Sequence, residues 1–322
     1  MTAAPNGILL ADKPQGITSH DVVARTRRAL GTKKVGHAGT LDPMATGLLI
    51  LGAGASTRLL THLVGLDKEY LATIRLGQAT TTDDAEGEIV AEEPVDGVLA
   101  SAIEAGIAAL TGEILQRPSS VSAIKVDGRR AYERVRAGED VELPARTVTV
   151  SAFEVLGVRG IGAGGLDPSL RDHSTRGGDG DASRDHARAT IDVDVRVECS
   201  SGTYIRALAR DLGEALGVGG HLTQLRRTRI GPFRVEEALA VPAFGEPYAG
   251  ELLDPGAVAG TLFPRLPLDA AQAADLANGK RVAVDAPDAP TAAALAPDGR
   301  LVGLVSVENG RTRVITNFPV DA

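Results

Sequence analysis

No tryptophan, one cysteine, two methionines and an aromatic share of 3% leave this 322-residue chain poor in residues on which many functional classes depend. A lone Cys199 can close no intramolecular disulfide and build no cysteine metal cluster, which fits a reducing compartment, expected to be the cytoplasm. Long hydrophobic runs are missing as well. The longest, Leu48 to Ala55, is far below the roughly 20 residues that a spanning helix needs, and MTAAPNGILLADK lacks the charged start and apolar centre of a signal peptide. No membrane partner is expected. The sequence also lacks a Gly-Lys-Ser/Thr P-loop ending, a dinucleotide fingerprint, a His-Glu-x-x-His pair and a Gly-x-Ser-x-Gly elbow, so nucleotide cofactors, zinc chemistry and ordinary serine hydrolysis are disfavoured.

What is present is a chain that is 43% apolar and 24% charged, with a formal net charge of -8. That supports one large domain with a small companion. Evenly spread, the acid excess would repel nucleic acid. It is not evenly spread. Residues 22–41 carry Arg25, Arg27, Arg28, Lys33 and Lys34 and no acid, whereas 83–96 carry seven acids and no base. Two more basic stretches follow, at 117–136 and at 201–234, the latter with Arg206, Arg210, Arg226, Arg227, Arg229 and Arg234 against Asp211 and Glu214. Each alone reads as a solvated helix face; together on one side they would make a polyanion groove.

Helices and strands alternate irregularly and no repeat is visible, which favours an α+β architecture. A helix is expected from Ser19 to Leu30, capped by Thr18 or Ser19 and ended at Gly31, and another from Thr203 to Leu216. TVTVSAFEVLGV and ATIDVDVRVEC alternate as strands do, and the Gly-, Asp- and Arg-rich segment 159–188 between them reads as a disordered insertion. Asn309-Gly310 marks a hairpin between two C-terminal strands. Along the chain this gives a domain over 1–245, a linker over 246–260 and a small β-rich unit over 261–322.

Chemistry concentrates in three blocks. In Gly36 to Leu49, Pro43 keeps Asp42 out of the helical region and glycines flank it, so the carboxylate is offered on a constrained loop ahead of an apolar strand; a plain turn or cap role for Asp42 is the alternative. Ionised at neutral pH, such an aspartate can act as nucleophile or general base. Asp67 to Gly77 is a strand headed by Tyr70, either a stacking residue or a core tyrosine. Cys199 to Gly213 is a strand, a tight glycine turn and a helix start with Arg206 in the first turn, where a cation sits poorly against the helix dipole and a partner carboxylate is expected, Asp42 being the candidate.

With these blocks in their order, the sequence resembles the bacterial tRNA pseudouridine-55 synthases, the TruB family, over nearly its whole length. Gly7 to Gly16 is similar to the family's Lys-Pro motif, Gly36 to Leu49 to the block holding its catalytic aspartate, Lys68-Glu69-Tyr70 to its tyrosine motif, Ser122 to Lys125 to a further motif, and Gly202 to Arg206 to the motif whose arginine pairs with the aspartate. The resemblance implies a catalytic domain with a mixed, largely antiparallel sheet flanked by helices and a small C-terminal PUA-like RNA-binding domain. It implies isomerisation of uridine-55 in the tRNA T loop to pseudouridine, by a monomer, with no metal and no cofactor. It makes Asp42 the nucleophile, at ribose C1′ or uracil C6, with Tyr70 packing on the base and Arg206 supporting the carboxylate. His37, Tyr204 and Leu225 would hold the extruded uridine, and Lys13, Lys125, Arg226 and Arg227 are possible RNA contacts, the two lysines having a structural alternative. An RNA-binding or tRNA-folding module is the competing reading; a retaining glycoside hydrolase would need a second acid roughly 5 Å from Asp42.

Overall fold

The computed structural model describes residues 5–119, 125–126, 129–130, 143–161, 189–242, 246–248 and 250–318. They form two compact units, one from Met1–Leu66 with Arg229–Ala322 and one from Asp67–Thr228.

Unit one begins with β1 (Gly7–Lys13), α1 (Ser19–Ala29), β2 (Val35–His37), β3 (Thr46–Ala53) and a short α2 (Leu60–Leu63). Thr18 caps α1 through a reciprocal capping box with Asp21, and Gly31 leaves the helix at φ +63°. β1 runs antiparallel to β3, whose other edge pairs with β2 over Val35 to His37. Both faces of β1 and β3 are covered. Ile8, Leu10, Leu48 and Ile50 enter one core, and Leu9, Ala11, Leu49 and Leu51 enter another with Val22 and Val23 of α1. This is why β3 reads as a continuous apolar run.

Unit two contains β4 (Lys68–Leu76), β5 (Gln78–Thr80), β6 (Ile89–Glu92), α3 (Ala100–Ala109), β7 (Gly112–Gln116), the two-residue strands β8 (Lys125–Val126) and β9 (Arg129–Arg130), β10 (Arg146–Ile161), β11 (Thr190–Cys199), α4 (Ile205–Ala215) and most of β12 (Gly220–Ile230). Its strands lie in the order β12-β4-β11-β10-β7, and β4, β11, β10 and β7 pair antiparallel with one another. The alternation of β11 is fully realised. Ile191, Val193, Val195, Val197 and Cys199 are buried, while Asp192, Asp194, Arg196 and Glu198 face the other way and join Arg75, Thr73, Glu69, Glu154 and Arg159 in a layer of ion pairs and hydrogen bonds.

Two boundaries differ from the sequence reading. The strand before the insertion continues through Arg159, Gly160 and Ile161, paired with Asp192, Ile191 and Thr190, because the Arg159 fork closes on Asp194; residues 162–188 lie outside the described residues. Helix α4 starts two residues later than expected, at Ile205 with Tyr204 as N-cap.

The rest of unit one comprises β13 (Phe233–Arg234), β14 (Leu239–Ala240), α5 (Pro255–Leu262), β15 (Arg265–Pro267), α6 (Ala270–Ala277), β16 (Ala289–Leu295), β17 (Leu301–Glu308) and β18 (Arg311–Asn317). The last four strands form their own sheet in chain order, with Asn309 and Gly310 both at positive φ in the expected hairpin turn. Within the stretch read as a linker, Leu253 exchanges backbone hydrogen bonds with Ile8, and Val258 and Ala259 of α5 are buried. Ala293, Leu301, Leu304 and Phe318 share a core with Ile8 and Ile50, so this part of the chain packs into unit one.

Candidate active site

In unit one, the Asp42 loop is fastened on both sides. Leu41 donates its N–H to the Ser19 hydroxyl at 2.8 Å, and that hydroxyl donates to the Leu41 carbonyl at 3.0 Å. Pro43 offers its carbonyl to the Gly16 N–H at 2.9 Å and to the Lys13 ammonium at 3.2 Å. Lys13 is completely buried, and its ammonium also donates to the carbonyls of Pro14 and Ile17. Of its two expected roles the geometry displays the structural one: a buried cation gathering three carbonyls beneath the loop. Gly39 and Gly47 stand at φ +98° and +102°, conformations a side chain would strain, so glycine is needed on each flank. Between fixed neighbours, Asp42 is half-buried and retains contact with solvent. His37, on β2, meets His20 edge to face with ring centres 5.6 Å apart.

In unit two, Arg206 is buried in the first turn of α4, and a carboxylate the sequence reading did not name, Asp84, lies 3.2 Å away and is itself 2% exposed; the candidate named from sequence was Asp42. The same guanidinium nitrogen donates to the Thr82 carbonyl at 3.0 Å. Asp84 is in turn held by the Glu86 N–H at 3.0 Å and by the Thr82 hydroxyl, while its carbonyl receives the Thr80 hydroxyl. Next to it Asp83 adopts φ +59°, a left-handed conformation rare outside glycine, stabilised by the Leu222 N–H on its carbonyl and by Arg210 on its carboxylate at 3.3 Å. Sequence reasoning missed Asp84 because it sits in an acid-only stretch; the threonines at 80 and 82 around it were the available signal.

Tyr204 stands at the turn before α4 and Tyr70 is buried on β4, opposite Val197. Leu225 is buried on β12 and Arg226 is half-buried. Arg227, a possible RNA contact from sequence, is 1% exposed. Lys68 pairs in register with Cys199 on β11; burial and the Arg227 charge pull its ammonium down to about 8, and burial pushes the Cys199 thiol up to about 11. The side chain of Lys125, and most of its motif, lie outside the described residues.

The first basic stretch has a different setting. Arg27, Arg28, Lys33 and Lys34 are exposed at and after the end of α1, where cations favour the helix dipole. Ala24, Arg27, Arg28, Gly31, Thr32 and Lys33 line a concavity of about 380 Å³, and Arg27 is steadied by its hydrogen bond to the Val35 carbonyl at 2.9 Å. Among the described residues no group of three or more His, Cys, Asp or Glu is placed to hold a metal ion, and no helix is long and apolar enough to cross a membrane.

Residues 27–164 match the family described as TruB family pseudouridylate synthase (N terminal domain), 206–244 match tRNA pseudouridylate synthase B C-terminal domain, and 263–319 match tRNA pseudouridine synthase II, C terminal. The chain is 55% identical over 322 residues to the tRNA pseudouridine synthase B of Leifsonia xyli subsp. xyli, covering 98% of this chain and 97% of that one. To the protein of the same description from Arthrobacter sp. it is 52% identical over 321 residues, covering 97% and 96%. Among solved structures it is similar to a chain of the H/ACA RNP bound to a substrate RNA containing 2′-deoxyuridine, with a TM-score of 0.63 at 23% identity over 98% of this chain and 85% of that chain. A chain of a Cbf5-Nop10-Gar1 complex aligns with a TM-score of 0.62 at 25% identity over 97% and 85%. The first of these likenesses speaks for the fold alone.

Proposed function

The chain belongs to the TruB family of pseudouridine synthases and is an isomerase that converts uridine in tRNA to pseudouridine; from that premise we propose that its target is uridine-55 of the T loop and that Asp42 is the nucleophile. The observation that carries the role of Asp42 is its loop, in which Leu41 and Pro43 are held by the buried Ser19 and Lys13 while the aspartate between them is only half-buried. A reactive group needs that combination of fixed geometry and access. In the isomerisation the C1′–N1 bond breaks, the uracil turns, C5 bonds to C1′ and loses its proton, and N1 gains one. Nothing is oxidised or reduced, so the reading requires neither metal nor cofactor.

The uridine must leave its loop to reach Asp42, which calls for residues that hold an extruded base. By the family resemblance Tyr70, Tyr204, Leu225 and His37 take that task, and Arg206, fixed by Asp84, is the supporting arginine. The exposed cations around α1 contact the RNA backbone, and the separate β15–β18 sheet, with its own core of Leu266, Val302 and Val305, acts as a PUA-like RNA-binding unit. The enzyme acts as a monomer in the cytoplasm. Incubation with unmodified T-stem-loop RNA, followed by mapping of pseudouridine by position, tests the reading. One modified residue at position 55 is expected; modification elsewhere, or none, overturns it.

A further inference from the structure

Gln116 and Arg146 stand directly opposite each other, Gln116 closing β7 and Arg146 opening β10 of an antiparallel pair. Side chains of such a cross-strand pair leave the sheet on the same face. Both go to the turn before α4. Gln116 is completely buried and spends both ends of its amide on the main chain of one residue, accepting from the Tyr204 N–H at 2.8 Å and donating to the Tyr204 carbonyl at 3.0 Å. With both ends engaged, the amide cannot turn without breaking two buried hydrogen bonds. Arg146 lies over the Tyr204 ring, its guanidinium carbon 4.8 Å from the ring centre, and also donates to the Gly202 carbonyl. Gly202 stands at φ +91°, a backbone conformation that side chains rarely adopt, and a Cβ there would be in ordinary contact with the guanidinium carbon, at 3.7 Å.

Helix α4 has no side-chain cap of its own, so the amide of Gln116 does the work of fixing its N-cap residue. We propose that Gln116 and Arg146 are positioning residues for the pseudouridylation reaction: together they set the backbone and the ring of Tyr204, and through that N-cap the first turn that carries Arg206. The inference rests on the reading that Tyr204 lines the pocket for the extruded uridine. Neither residue touches the reacting atoms in this role; their effect passes through Tyr204.

The test uses the full-length protein with its four tyrosines, at 70, 132, 204 and 248, replaced by 3-fluorotyrosine, and Tyr204→Phe to assign the Tyr204 fluorine resonance. Gln116→Met keeps the length and apolar bulk of the side chain and removes both hydrogen bonds; Arg146→Met removes the cation, and Arg146→Lys keeps a cation without the planar fork. Gln116→Met and Arg146→Met are expected to shift and broaden the Tyr204 resonance while leaving that of Tyr248 unmoved. Single-turnover pseudouridine formation should slow by about 10- to 100-fold, with T-stem-loop affinity kept within about twofold. Arg146→Lys should recover part of the rate. An unchanged Tyr204 resonance in both Met variants, or a displaced resonance with an unchanged rate, overturns the proposal. If Gln116→Met fails to fold, the two Arg146 variants decide by the same criteria. Should the wild type form no pseudouridine, the functional reading fails on that result, while the fluorine spectra still judge the brace.

Discussion

The basic stretches at 22–41 and 201–234 look alike as sequence and end in opposite places. At and after the end of α1 the cations stay in water, next to a helix end that favours them and around a shallow concavity. In unit two Arg206 and Arg227 are buried and Arg210 is half-buried, and the carboxylates facing Arg206 and Arg210 include Asp84 and Asp83, the first two members of the acid-only stretch. Charge of one sign along a sequence acts at a distance only where it remains solvated; where it is buried against the opposite stretch, it becomes framework. The net charge of -8 therefore says little about where RNA binds.

The framework half of this contrast is the more sensitive to mutation. Asp84→Ala leaves the buried Arg206 without its 3.2 Å partner and should cost about 3–5 kcal/mol in urea unfolding, together with most of the pseudouridine-forming rate. Wild-type stability in that variant would remove the distinction between the two stretches. Lys13→Met withdraws the buried ammonium from the carbonyls of Pro14, Ile17 and Pro43; a loss of about 1–3 kcal/mol and slower turnover are expected. Loss of RNA affinity with unaltered stability would return Lys13 to the solvated class.

Lys68 offers a pH test. Its folded value of about 8 lies below the ordinary 10.5, so between those values the unfolded chain holds more protons and stability rises with pH. Between about pH 7.5 and 9, wild type should gain roughly 1 kcal/mol relative to Lys68→Met. Cys199, raised to about 11, works in the opposite sense and feels the Lys68 charge, so both proteins are compared in a Cys199→Ala background. A flat difference across this range would mean that the ammonium is not desolvated. The smallest effect on stability belongs to the exposed stretch. The double variant Arg27→Ala, Arg28→Ala should unfold within about 0.5 kcal/mol of wild type, while the slope of log affinity for tRNA against log salt falls by about 2. An unchanged slope would show that these cations do not meet phosphate.

Local structure was legible where one residue type decides it. The capping box of α1, the two-residue periodicity of β11, the Asn309-Gly310 turn and the glycine-flanked presentation of Asp42 all follow from nearest-neighbour physics, and each appears in the fold. What the sequence hid depends on partners far along the chain. Apart from the threonines at 80 and 82, nothing marks Asp84 as the buried member of its acid-only stretch, because its ion-pair partner Arg206 is 122 positions away; Gln116 is likewise an ordinary polar residue until its amide meets Tyr204, 88 positions on. Ser19 was visible as a cap candidate, yet Thr18 caps the helix and the Ser19 hydroxyl is left to hold Leu41.

The central claim is that Asp42 is the reactive group and that its surroundings are built to hold it. The most direct measurement is single-turnover conversion of T-stem-loop RNA by Asp42→Ala, made beside its binding of the same RNA. Near wild-type affinity and no pseudouridine are expected; turnover by the alanine variant would show that Asp42 is not the reactive group.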